Sequence, residues 1–296
     1  MPLPIPIRGI VTPLITPLRT PDAIDEECLD RCIEHVIDGG VAGVFVLGTT
    51  GEGPALSAAA QRTVVNRSVK TAAGRVPLLV GIAHSSYEDS LAIARHAADA
   101  GADAVVTTGP LYFGVSQMEL LAYVERLAHD SPLPVYIYNI PSCSHVRFSV
   151  ETVEKASELA NVAGVKDSSA EMVYFHRIRT AVSHRQNFAV LMGPEELTGE
   201  AVLTGAHGGV NGGSNLFPSL YVSMYEAAAR GDSTEVARLQ ARVLAVSAAV
   251  YDPTYLPGMK CAAATLGLCR EVFAAPYEPA PEPRRRAIRD FIERMD

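Results

Sequence analysis

The sequence predicts an α/β fold, a (β/α)8 TIM barrel with an appended C-terminal helical region. Three observations predict it. Eight short runs rich in Val, Ile, Leu and Gly recur along the chain, separated by amphipathic stretches. The runs do not alternate apolar with polar residues, which implies burial on both faces, as in a parallel sheet covered by helices. The first run leads into "TPLITPL" with no GxGxxG after it, which argues against an open doubly wound sheet that binds a dinucleotide.

The strand runs are, in order, "RGIVTPL", "GVFVLGT", "VPLLVGIA", "ADAVVTTG", "LPVYIYN", "VAGVKDS", "FAVLMGP" and "GGVNGGS". Helical periodicity fills residues 25–38, 58–73, 87–100, 117–129, 150–159, 172–182 and 195–204 between them. Beyond about residue 216 the strands stop. Residues 233–250, 256–268 and 283–295 read as helices, with an "EPAPEP" break before the last. The expected organisation is a catalytic barrel over residues 1–225 and a helical extension over 226–296, packed on the barrel.

Composition narrows the function classes. With 48% hydrophobic and 20% charged residues the chain has ample material for a core. A formal charge of −8 gives no global attraction to nucleic acid or to an anionic membrane. The five cysteines (Cys28, Cys32, Cys143, Cys261, Cys269) form no CxxC pair and are expected to be free thiols. No metal site is expected. The start, "MPLPIPIRGI", does not resemble a signal peptide. No apolar run approaches the ~18 residues that span a bilayer. A cytoplasmic protein is expected. The run Arg284–Arg286 is expected to be a solvated helix face.

Active sites of such barrels lie at the C-terminal ends of the strands. The second strand ends in "GTTGEG" (Gly48, Thr49, Thr50, then Gly51 to Gly53), small hydroxyls and flexible backbone N–H groups suited to a carboxylate or to a tight turn. The sixth ends in Lys166. A lysine still inside a barrel is costly as an ammonium, and as a neutral amine it attacks a carbonyl to give a Schiff base. The plainer alternative is a lysine that reaches water or pairs with Asp167. The fifth ends in Tyr138, a phenol able to relay protons beside a lysine. Tyr136 has the same strand parity, so periodicity leaves the choice between proton carrier and core aromatic open.

Taken together, "LGTTGE", "YIYNIP", "GVKDSS" and "GAHGGVNGGSN" resemble the dihydrodipicolinate synthase / N-acetylneuraminate lyase family of pyruvate-dependent class I aldolases. The likeness runs in order along the chain and continues into "LPGMKCAAATLGL". The resemblance implies that Lys166 is the Schiff-base lysine and Tyr138 the general acid/base. It implies that Thr49 belongs to the proton relay and that Thr50 holds the pyruvate carboxylate. Tyr112 matches a relay tyrosine exchanged between neighbouring subunits. Gly193 and Val210 match positions lining the pyruvate pocket, with Gly48 beside them at the loop. No metal or organic cofactor is implied. A homo-oligomer, tetramer or dimer, is.

One position departs from the pattern. The synthases of this family carry an arginine two residues after the YNxP proline, where this chain has Cys143. A thiol cannot form a bidentate pair with a carboxylate. Arg147 is out of position. In the sialic-acid lyases acidic residues after the seventh strand hold substrate hydroxyls, and here Glu195 and Glu196 follow it; the same residues also suit a helix N-terminus. Ser142, Ser144 and His145 are expected to form a polar wall; His84 and His207 are expected to be structural. The expected function is a Schiff-base lyase acting on pyruvate and a 2-keto acid, such as a 2-keto-3-deoxy sugar acid. The alternatives are dihydrodipicolinate synthase itself, with aspartate semialdehyde as the aldehyde, a keto-deoxy acid dehydratase, and a non-catalytic keto-acid sensor.

Overall fold

The structure, a computed structural model, describes residues 5–295. Residues 1–4, which the leader reading and the 1–225 boundary include, and residue 296 lie outside the described part. The eight barrel strands are β1 (Gly9–Pro13), β2 (Gly43–Val46), β3 (Leu78–Gly81), β4 (Ala104–Thr107), β5 (Val135–Asn139), β6 (Val162–Asp167), β7 (Ala189–Met192) and β8 (Gly208–Val210). Each pairs parallel with the next, and β8 pairs with β1 to close the barrel. Each is followed by a helix: α1 (Glu26–Asp38), α2 (Ala58–Ala72), α3 (Tyr87–Ala100), α4 (Gln117–Asp130), α5 (Val150–Ser157), α6 (Met172–Ala181), α7 (Thr198–Leu203) and α8 (Pro218–Ala229). The tail adds α9 (Ser233–Val250), α10 (Tyr255–Thr265) and α11 (Glu282–Met295).

Local chemistry explains the helix starts. Asp25, Ser57, Ser86, Ser149 and Asp232 each accept a backbone N–H from the first turn of the helix that follows. Ser116 and Glu119 form a reciprocal capping box at α4. Three features differ from the sequence expectation. A two-stranded hairpin, Leu18–Thr20 with Ala23–Ile24, precedes α1. Residues 195–204 are not one helix, since Glu195–Leu197 form a 3-10 turn before α7. The helix α8 runs through the expected 225/226 junction, so the tail begins only after Ala229.

Strand parity builds two apolar layers. Val11, Phe45, Leu79, Val106, Tyr136, Tyr138, Leu191 and Val210 fill the barrel interior. Val44, Val80, Val105, Ile137, Val165 and Val190 face the helices, in a core continuous with Val236, Leu239, Met259 and Ile288 of the tail. Tyr136 and Tyr138 both point inward, Tyr138 at the open end. The Tyr136 ring needs the space left by Gly164: a Cβ there would lie 2.6 Å from Tyr136 Cε1 and 2.7 Å from the Ala189 carbonyl oxygen. Gly164→Ala should therefore overpack the interior and lower stability by about 1–3 kcal/mol, read as a lower urea midpoint with an unchanged denaturant slope.

Candidate active site

The open end of the barrel holds a cavity of about 550 Å³ lined by Thr49, Thr50, Tyr138, Lys166, Gly193 and Val210, with Cys143, Glu195 and Glu196 on its walls. It adjoins an apolar chamber of about 230 Å³ that Gly48 lines, and the two share Thr49, Tyr138, Ile140, Cys143 and Tyr277.

Lys166 is 6% exposed. Its register partner across the ladder is Tyr138. The Lys166 Nζ lies 3.9 Å from the Tyr138 ring centre and 5.4 Å from that of Phe45. Among the described residues, none offers it a carboxylate within ion-pair distance. Asp167 does not pair with it, because one residue along a strand reverses the side chain's direction. Asp167 instead accepts Asn139 Nδ2 at 2.8 Å and the backbone N–H and hydroxyl of Ser169. Burial holds the Asp167 pKa above the ordinary carboxylate value despite these donors. The Tyr138 hydroxyl receives a long hydrogen bond from Ser168 Oγ, 3.4 Å.

The "GTTGEG" loop is held from several sides. The Thr16 hydroxyl donates to the Gly51 carbonyl at 2.6 Å, and Gln61 Nε2 donates to the Gly53 carbonyl at 2.9 Å. A Cβ at Gly53 would lie 2.0 Å from the Leu47 carbonyl oxygen, so the loop closes this tightly only with glycine. Thr49 is exposed to the cavity, whereas Thr50 is buried and shares a 2.9 Å hydrogen bond with the Tyr255 hydroxyl. Gly193 leaves room for Ser168, whose Oγ would be 1.9 Å from a Cβ there.

Other expected residues stand elsewhere. Tyr112 does not reach the cavity of its own chain: it is 84% exposed, on the loop after β4, with Phe113 edge-on to it. Arg147 is engaged by Glu171 at 2.6 and 2.8 Å, lies over the Tyr174 ring and does not line the cavity. Both Glu195 oxygens are already taken. Oε1 accepts the hydroxyls of Tyr221 (2.5 Å) and Tyr251 (2.9 Å), and Oε2 accepts the Gly213 N–H (2.9 Å). Glu196 is half-buried and accepts the Ser247 hydroxyl. Ser142 and His145 do not form the expected wall. Ser144 lines only the side chamber, and its hydroxyl is spent on the Ile140 and Val146 carbonyls. His84 and His207 accept backbone N–H groups of Ser86 and Val190, as structural histidines do.

Sequence reasoning missed Tyr251, Tyr255 and Tyr277, which bring three phenols from the tail to the cavity wall. Their strings, "YDPTYLPG" and "AAPYEP", carry no local sign that the tail returns to the barrel mouth. Among the described residues no group of three or more His, Cys, Asp or Glu is placed to hold a metal ion, and no helix is long and apolar enough to cross a membrane.

A closed (β/α)8 barrel with a buried lysine beside a phenol at its mouth is the architecture of a class I aldolase, and the protein is a carbon–carbon lyase of that class. More particularly, the chain belongs to the dihydrodipicolinate synthetase family, whose model matches residues 6–295. It is 36% identical over 254 residues to a 4-hydroxy-tetrahydrodipicolinate synthase of Nitrobacter hamburgensis, covering 86% of this chain and 85% of that one. A dihydrodipicolinate synthase structure from Bacteroides thetaiotaomicron superposes with a TM-score of 0.95 at 44% identity, over 99% of this chain and 100% of that one. YagE, a family member of Escherichia coli K12 solved with pyruvate, superposes with a TM-score of 0.92 at 25% identity, over 97% and 98%.

The cage around Glu195 has a consequence for stability. Burial raises its pKa from the ordinary 4.5 to about 7. A carboxyl raised on folding favours the folded state when protonated, so stability falls as pH rises from about 4.5 through 7. Glu195→Gln keeps an acceptor and removes the titration. Urea unfolding at pH 5 and pH 8 should show the variant gaining about 3 kcal/mol on the native protein at the higher pH. An equal difference at both pH values would contradict the assignment.

Proposed function

We propose that the protein makes or breaks a carbon–carbon bond of a 2-keto acid through an imine on Lys166, with pyruvate as one component. The other component is an uncharged, hydroxyl-bearing aldehyde, so that the cleaved substrate is a 2-keto-3-deoxy sugar acid. The observation that carries the choice of aldehyde is the charge on the cavity wall. Lys166 is the one cation among the described lining residues; Cys143 stands where the synthases carry arginine, and Arg147 is held by Glu171. A second carboxylate would meet Glu196 and no counter-ion, whereas hydroxyls would meet Tyr251, Thr254, Tyr255 and Tyr277.

In this reading the substrate carboxylate sits on the hydroxyls and N–H groups of Thr49 and Thr50. The Lys166 amine adds to C2, and water leaves as the imine forms. The protonated imine draws electrons from the C3–C4 bond, which breaks to release the aldehyde and leave an enamine. Protonation at C3 and hydrolysis then return pyruvate and the free amine. Tyr138 carries the protons at each stage, and Thr49 passes them on. Gly48, Gly193 and Val210 shape the floor. Glu195 acts through Tyr251 rather than on the substrate.

Tyr112, exposed in the single chain, would complete the relay of a neighbouring subunit, which makes a homo-oligomer, dimer or tetramer, part of the proposal. The pyruvate in the YagE structure supports the keto-acid half. Free thiols in all five cysteines suit a reducing, cytoplasmic setting.

The names of the relatives favour a second reading, condensation of pyruvate with aspartate semialdehyde. Turnover separates the two. Pyruvate release from a panel of 2-keto-3-deoxy sugar acids should exceed semialdehyde condensation by roughly 100-fold in kcat/KM. Efficient condensation would overturn the choice of aldehyde. Tyr138→Phe should lower kcat about 10²–10⁴-fold with the fold intact by circular dichroism.

A further inference from the structure

One buried ion pair has no part in the chemistry above. Glu52 and Lys260 face each other with both side chains at 0% exposure. Glu52 lies two residues past Thr50, in the left-handed region at φ 55°. Its second oxygen accepts the Ala274 N–H at 2.8 Å. Lys260 Nζ also donates to the Val272 carbonyl at 2.5 Å and lies 5.1 Å from the Phe273 ring centre. Lys260 belongs to α10, whose first residue, Tyr255, shares a hydrogen bond with Thr50. One tail helix therefore grips the Thr49–Thr50 loop at two points. The Val272–Ala274 segment, tied to the same pair, leads directly to Tyr277 on the cavity wall.

A buried ion pair is a poor route to stability, because desolvation offsets most of the attraction, but it is strongly directional. The backbone it fixes here is the one that meets the substrate carboxylate in the reading above. We propose that Glu52 and Lys260 are positioning residues for keto-acid binding. Through them the C-terminal region sets the geometry of Thr49 and Thr50, so the tail is part of the binding apparatus rather than an outer cover. The proposal rests on Lys166 as the imine-forming residue.

The test uses pyruvate as probe, with borohydride reduction and intact mass to count modified protein against pyruvate concentration. The double variant Glu52→Gln, Lys260→Met leaves no buried charge unpaired. Its half-saturating pyruvate concentration should rise about tenfold over the native protein's while labelling still reaches the same plateau. A half-saturation within about twofold of native would make the pair purely structural and overturn the proposal. If the double variant does not fold, Glu52→Asp keeps the charge but shortens the reach to Lys260, and the same rise or its absence decides. No labelling of the native protein at any concentration would instead overturn the Lys166 reading, and the proposal with it.

Discussion

The register between β5 and β6 is the constraint on which the site depends. It sets Tyr138 opposite Lys166 and Asn139 opposite Asp167. The inward pair faces the cavity. The outward pair is a lock: Asn139 bridges the Asp167 carboxylate and the Phe148 N–H, at 2.8 and 3.1 Å. A slip of one residue in either strand would turn its inward side chain outward and bring its lock residue into the barrel. The dipeptides "YN" and "KD" thus each combine a cavity-facing residue with one that holds the register.

Two buried lysines show how differently one residue type can be used. Lys260 is closed off by Glu52 and the Val272 carbonyl. Lys166 has the faces of Tyr138 and Phe45 beside it, no carboxylate in ion-pair distance among the described residues, and opens on the cavity. Aromatic faces attract a cation without removing the amine from reach of a ligand. The tail contributes to both arrangements. It supplies Lys260 to Glu52 of the "GTTGEG" loop and three phenols to the wall, and Glu195 is spent on holding Tyr251.

Much of this was legible in the sequence because barrel chemistry is local to strand ends. Doubly buried strands and amphipathic stretches marked the (β/α) period, and Lys166, Tyr138, Thr49 and Thr50 lay at predicted strand ends. What was not legible depends on contacts across the chain. Parity could not separate Tyr136 from Tyr138; their depth in the barrel does. Glu195 looked available for a substrate until Tyr221, Tyr251 and Gly213 met its oxygens. Lys260 and Tyr255 looked like ordinary helix residues, because their partners lie about 200 residues earlier in the chain. Cys143 was readable only by comparison with a motif, and among the described residues no arginine lines the cavity beside it.

The central claim is that Lys166 is the residue that condenses with a keto acid. The most direct measurement is peptide mapping of the native protein after pyruvate and borohydride. The account predicts one reduced pyruvate adduct, on the peptide carrying Lys166, and none in Lys166→Ala. An unmodified native protein, or an adduct on any other lysine, would contradict it.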